Sequence, residues 1–86
     1  MKQAVYIGRG GPFRGNAVIY RLNPPYKTYE YVVVSTVQDS WVDETMLFGC
    51  DAFGNPDDWD SLAEIAPAGT PVECLARIGY AAEKRV

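Results

Sequence analysis

Thr28-Tyr29-Glu30-Tyr31-Val32-Val33-Val34-Ser35-Thr36-Val37 is the stretch on which the fold turns. Tyr29, Tyr31, Val32, Val33, Val34 and Val37 are aromatic or β-branched, the residue types that suit a pleated surface. Apolar side chains fall on both faces, so residues 28–37 are predicted to form a central strand covered at least partly on each side. Upstream, Asn23-Pro24-Pro25 should end a preceding strand, because proline cannot donate to a ladder. That strand, residues 16–22, alternates Val18 and Tyr20 against Ala17 and Ile19. Residues 2–8 alternate likewise, with Val5 and Ile7 against Ala4 and Tyr6. Between them lie four glycines and a proline in Gly8-Arg9-Gly10-Gly11-Pro12-Phe13-Arg14-Gly15, which reads as the flexible tip of a hairpin.

Downstream, residues 44–50 read as a fourth strand, with Met46, Phe48 and Cys50 on one face and Leu47 on the other. Asp57 or Asp58 is placed to cap a short helix near 58–65 carrying Trp59, Leu62, Ala63 and Ile65. Pro67-Ala68-Gly69 breaks it. Thr70-Pro71-Val72-Glu73 carries the marks of a second start: Thr70 as N-cap, Pro71 at the first helical position and Glu73 as reciprocal partner of a capping box. This C-terminal helix is predicted near 71–78, with Gly79 turning the chain out of it. The expectation is an α+β fold: an antiparallel sheet of about four strands (2–8, 16–22, 28–37, 44–50) with helices on one face, in a single small domain over residues 1–86.

Composition narrows the chemistry. The chain of 86 residues is 48% apolar and 22% charged, an ordinary globular balance. It has no histidine, which removes Ser-His-Asp and Cys-His catalysis and imidazole-based metal sites. Cys50 and Cys74 are too few for a four-thiolate site and read as small buried hydrophobes. No metal or cofactor is expected. Residues 1–8 lack the long apolar stretch of a secretory signal and no apolar run is long enough to span a bilayer, so the expected setting is the cytoplasm, without a membrane. Charge is divided along the chain. Residues 1–29 hold five bases and no acid, whereas residues 30–76 hold ten acids and no base. If folding preserves that division, the molecule has a basic and an acidic face.

Three stretches stand out. The glycine loop offers backbone N–H groups to an anion, with Arg9, Arg14, Arg21 and Lys27 as candidate anion-binding residues. Gly10 and Gly15 have P-loop spacing, but Asn16 and Ala17 stand where Lys and Ser or Thr are needed, so nucleotide hydrolysis is excluded. The acidic stretch from Asp51 to Asp60 fails as a calcium loop, because Phe53 and Pro56 occupy its third and sixth positions. Asp57, Asp58, Asp60 and Glu64 are instead candidate partner-binding residues. Tyr26 and Trp41, expected to be exposed, join them, since tyrosine and tryptophan supply large contact areas with a polar tip.

Val18-Ile19-Tyr20-Arg21-Leu22-Asn23-Pro24-Pro25, Tyr29-Glu30-Tyr31-Val32-Val33-Val34-Ser35, Glu44-Thr45-Met46-Leu47-Phe48 and Asp58-Trp59-Asp60-Ser61-Leu62 together resemble a group of small accessory proteins of unassigned function encoded by phages of actinobacteria. In those, "YRLDPP", "YEYVVVSA", "ETYIF" and "DENGEITDWGEL" segments follow in that order. The resemblance covers roughly residues 16–65, and Leu75–Tyr80 is similar to their "ALxxxGY" ending. Asp51-Ala52-Phe53-Gly54-Asn55-Pro56 departs from it, being less acidic. The resemblance implies a phage origin and expression in host cytoplasm, and no catalytic residue transfers.

The expected function is therefore that of a non-enzymatic phage accessory protein. It would bind a host or phage protein and inhibit or modulate it through an acidic and aromatic surface. The alternative is a nucleic-acid or phosphate-binding module built on the loop at 8–15. A homodimer that buries a sheet edge is a further arrangement the sequence allows.

Overall fold

The computed structural model describes residues 2–13 and 16–82. Among these residues six strands form one sheet: β1 (Gln3–Arg9), β2 (Asn16–Tyr26), β3 (Tyr29–Gln38), β4 (Asp43–Cys50), β5 (Ala63–Ile65) and β6 (Ala81–Ala82). One helix, α1 (Pro71–Ala76), lies between β5 and β6 in sequence. The strand order is β5-β4-β3-β2-β1-β6. Neighbours are antiparallel except β6, which runs parallel to β1 through Gln3↔Ala81 and Ala4↔Ala82.

The valines of β3 are the centre of the molecule. Val32, Val33 and Val34 are fully buried, and because they alternate, both faces of the strand are covered. Val32 and Val34 face Tyr20, Leu22 and Leu47 beneath Cys74, Leu75, Ile78 and Tyr80 from the helical segment. Val33 faces the other way, into a smaller cluster with Ala17, Ile19, Phe48 and Cys50. Each such side chain contributes about 1.5–3 kcal/mol by leaving water.

The helix is held by short-range chemistry. The Glu73 N–H donates to Thr70 Oγ1 at 3.2 Å, and the Glu73 carboxylate accepts from the Thr70 N–H at 3.2 Å, completing the capping box. Gly79 takes φ of 86°, and the Tyr80 N–H returns to the Leu75 carbonyl at 3.1 Å. Behind the cap, buried Thr45 donates to the Gly69 carbonyl at 2.9 Å and accepts from its N–H at 3.1 Å, which fastens the helix entry to β4. The Tyr80 hydroxyl donates to the Pro24 carbonyl, joining the far side of α1 to β2.

Several expectations are corrected. The fold is mostly β and the sheet is mixed, not an α+β arrangement on an antiparallel sheet of about four strands. The four expected strands are present, but two short ones flank them. The helix near 58–65 does not form. Asp58 folds back to accept the Asp60 N–H at 2.8 Å, and Ala63, Glu64 and Ile65 pair with Leu47, Met46 and Thr45 as β5. The apolar spacing of that segment fits an in-out-in strand as well as a helix, and the unpaired edge of β4 decides between them. The helix predicted over 71–78 stops at Ala76, because the N–H groups of Arg77, Ile78 and Gly79 bond three residues back and tighten the last turn. Strand β2 does not end at Pro24. Its backbone stays extended to Tyr26, while pairing with β3 lapses between Arg21 and Tyr26, where the prolines lie.

Cys50 and Cys74 are buried on opposite faces of the sheet, and both are free thiols. Burial pushes the Cys50 thiol up to about 12, with Asp51 and Asp57 adding to the effect, and the Cys74 thiol up to about 11. No helix among the described residues is long and apolar enough to cross a membrane.

Two predictions follow from this packing. Thr70→Ala should cost about 1 kcal/mol, lowering the melting temperature by roughly 4–8 °C in a domain of this size when followed by circular dichroism. Because both thiols titrate higher in the folded than in the unfolded chain, their contribution is complete below the unfolded value of 9.0 and is lost as pH rises from there towards 11–12. The denaturation midpoint should therefore fall between pH 9 and 11, less steeply in Cys74→Ala.

Candidate functional site

The sheet face opposite α1 has no helix to cover it. Two loops do that work. Asp51 shapes one of them: its carboxylate accepts from the Asn55 N–H at 3.0 Å and the Phe53 N–H at 2.8 Å. These bonds hold the carboxyl below its ordinary value. The other loop is the glycine stretch after β1, and it is not a free hairpin tip. Its backbone presses directly on the Asp51 turn. A Cβ on Gly10 would stand 2.8 Å from the Phe53 carbonyl oxygen, and one on Gly54 would stand 2.9 Å from Ile19 Cδ1 and 3.1 Å from Gly10 C. Gly54 also takes φ of 86°, so both its lack of a side chain and its left-handed backbone are required there.

This contact sets an aromatic cluster on the sheet. Phe13 stacks on Phe48 with ring centres 5.6 Å apart, and Trp59 meets both edge-on at 5.5 and 5.7 Å. Such pairs add about 0.5–1.5 kcal/mol each beyond area burial. The cluster leaves Trp59 63% exposed. Beside it opens a groove of about 390 Å³, with Ser35, Val37, Met46 and Phe48 as its floor and Phe13 and Trp59 as its walls.

The groove is edged by acids. Glu44 is the register partner of Val37 and Glu64 that of Met46, so both carboxylates belong to the groove's face of the sheet. Asp57, Asp58 and Asp60 flank Trp59 in sequence and are exposed. Of the four predicted residues, register places Glu64 on the groove's face of the sheet, while Asp57, Asp58 and Asp60 are exposed neighbours of Trp59 in sequence and none of the four lines the groove itself. Trp41 stands at the β3–β4 turn, where the Asp39 carboxylate accepts from the Trp41 and Val42 N–H groups, and its side chain is 92% exposed. Tyr26, expected to be exposed, is half-buried on the helix side, edge-on to Tyr80 at 6.3 Å.

The basic candidates do not converge. Arg9 pairs with Val18, which packs towards α1, whereas Arg21 pairs with Tyr31, which packs on the opposite face. Arg21 is also engaged: its Nε lies 3.1 Å from Glu30 Oε2 in an exposed ion pair. Lys27 Nζ lies 5.5 Å from the Tyr26 ring centre. Arg14 lies outside the described residues. Among the described residues no three His, Cys, Asp or Glu side chains are grouped to hold a metal ion.

Sequence reasoning missed the groove residues Phe13, Ser35, Met46 and Phe48. The available signal was Phe13 itself, a large aromatic set among glycines, which marks a loop pinned to something rather than waving free. Compared with known proteins, the chain matches no family model, no curated sequence and no solved structure.

The backbone contact generates a paired test. Gly54→Ala should destabilise by roughly 1–3 kcal/mol through its forbidden backbone conformation. Gly8→Ala, whose Cβ would meet nothing within 4 Å, should leave the melting temperature unreduced. Equal behaviour of the two variants would mean that Gly54 does not hold the left-handed conformation on which the turn depends.

Proposed function

We propose that the chain is a non-enzymatic binding protein that docks its acidic and aromatic face onto a basic surface of a protein partner. In the setting implied by the phage resemblance, it modulates a host protein in the host cytoplasm. The observation that carries this reading is the acid-edged aromatic groove: apolar walls supply burial, and the carboxylates steer a basic partner into place. The absence of histidine and the raised thiol values of about 12 and 11 also favour binding over nucleophilic or acid–base chemistry. The scatter of Arg9, Arg21 and Lys27 over the fold gives the nucleic-acid alternative no comparable surface.

The test is charge reversal at positions with no structural duty. Asp58 holds its own turn, so Asp57 and Asp60 are the better choice. The double variant Asp57→Lys, Asp60→Lys should melt as the wild type does, since exposed carboxylates contribute little to stability. A host protein captured by the wild-type chain and identified by mass spectrometry should associate with the variant at least tenfold more slowly at low salt. Its rate should also depend less on salt. Undiminished association of the reversed variant, or a wild-type shift of labelled DNA or RNA at low salt, would defeat the reading.

A further inference from the structure

We propose that the groove bounded by Phe13 and Trp59 receives a basic peptide segment of the partner, with one aliphatic side chain seated in the groove and a lysine or arginine on either side. This rests on the binding reading above and names its occupant.

Three observations define that occupant. The groove's lining is apolar apart from Ser35, and its volume of about 390 Å³ is ample for one aliphatic side chain together with the peptide backbone that carries it. Its β3–β5 side carries acids: Glu44 and Glu64 lie on the same sheet face, Asp57, Asp58 and Asp60 neighbour Trp59 in sequence, and residues 30–76 include no base. The exposed ring of Trp59 amid these carboxylates is a favourable seat for a cationic side chain, which gains from the ring face and from the acids together. The third observation is Ser35. Only 6% of it is exposed, and it faces the groove from the middle of β3. Its hydroxyl is the one polar group of an otherwise apolar floor, so the floor is suited to a segment that brings a polar backbone atom down beside its anchor.

The probe is an acetylated, amidated peptide, Lys-Arg-Leu-Arg-Lys, titrated into the Trp41→Phe variant, which leaves Trp59 as the chain's single tryptophan. Trp59 emission should shift to the blue and saturate. Replacing the peptide's leucine with serine should weaken binding at least tenfold, and replacing its bases with glutamate should abolish it. Ser35→Ala should weaken binding about fivefold while the melting temperature holds, the size expected for one neutral hydrogen bond. Should Ser35→Ala fail to fold, Val37→Lys, at the half-buried outer end of the floor, should abolish binding in its place. Salt-sensitive binding that ignores both the leucine and these floor substitutions would overturn the groove assignment and leave the acidic face as the docking surface. No binding of the basic peptide, with partner capture still dependent on Asp57 and Asp60, would overturn the assignment as well. A dimer in solution that dissociates on Trp59→Ala would give the groove to a second copy of the chain and likewise overturn the proposal.

Discussion

Three successive valines, Val32, Val33 and Val34, are completely withdrawn from water. Successive side chains of a strand point to opposite faces, so this run obliges the chain to cover both sides of its central strand. In a domain of 86 residues little chain is left over for the task. One side receives the six-residue helix α1 and the turn that follows it, anchored by Leu75, Ile78 and Tyr80. The other side receives two loops. The rest of the architecture, from the short flanking strands to the glycine contact, serves that double coverage.

Covering a sheet with loops differs from covering it with a helix. A helix brings its backbone hydrogen bonds with it, whereas a loop must find partners for each exposed N–H and C=O. Asp51 meets part of that need by accepting from Phe53 and Asn55, and the glycines allow the two loop backbones to lie flush. The resulting cover is incomplete. It reaches Phe48 through Phe13 and Trp59 but stops before Val37 and Met46, which remain partly open. The groove is the unfilled remainder of the same packing problem that β3 sets, and its acid edge comes from the composition of the segment that folds around it.

Features specified by neighbouring residues were legible in the sequence. The capping box at Thr70 and Glu73, the reversal at Gly79 and the four long strands all appear where local pattern places them. Features specified by a distant partner were not. Strand β5 has three residues and β6 two, too few for any periodicity, and each exists because β4 or β1 offers it an open edge. Residues 58–65 carried apolar spacing compatible with either a turn of helix or a strand, and only the edge of β4 settles the matter. The same holds for the site. Its acidic members were visible as a run of like charge, but its floor and walls come from β3, β4 and two loops that meet only after the chain has closed. Tyr26, flanked by Pro25 and Lys27, looked solvent-facing because its edge-on partner Tyr80 is 54 residues away in the sequence (80 − 26 = 54).

The parallel pairing of β1 with β6 has a mechanical consequence. Tension applied at the two ends of the chain pulls these strands in opposite directions along their length, so their hydrogen bonds share the load in shear. Two register pairs, Gln3↔Ala81 and Ala4↔Ala82, are a weak clamp and yield first. Force then travels inward along the chain, reaching the loop of Phe13 from one end and the turn of Trp59 from the other before it reaches β3. Both walls of the groove are stripped away while its floor still stands, so stretching the molecule would dismantle the groove well before the central sheet gives way.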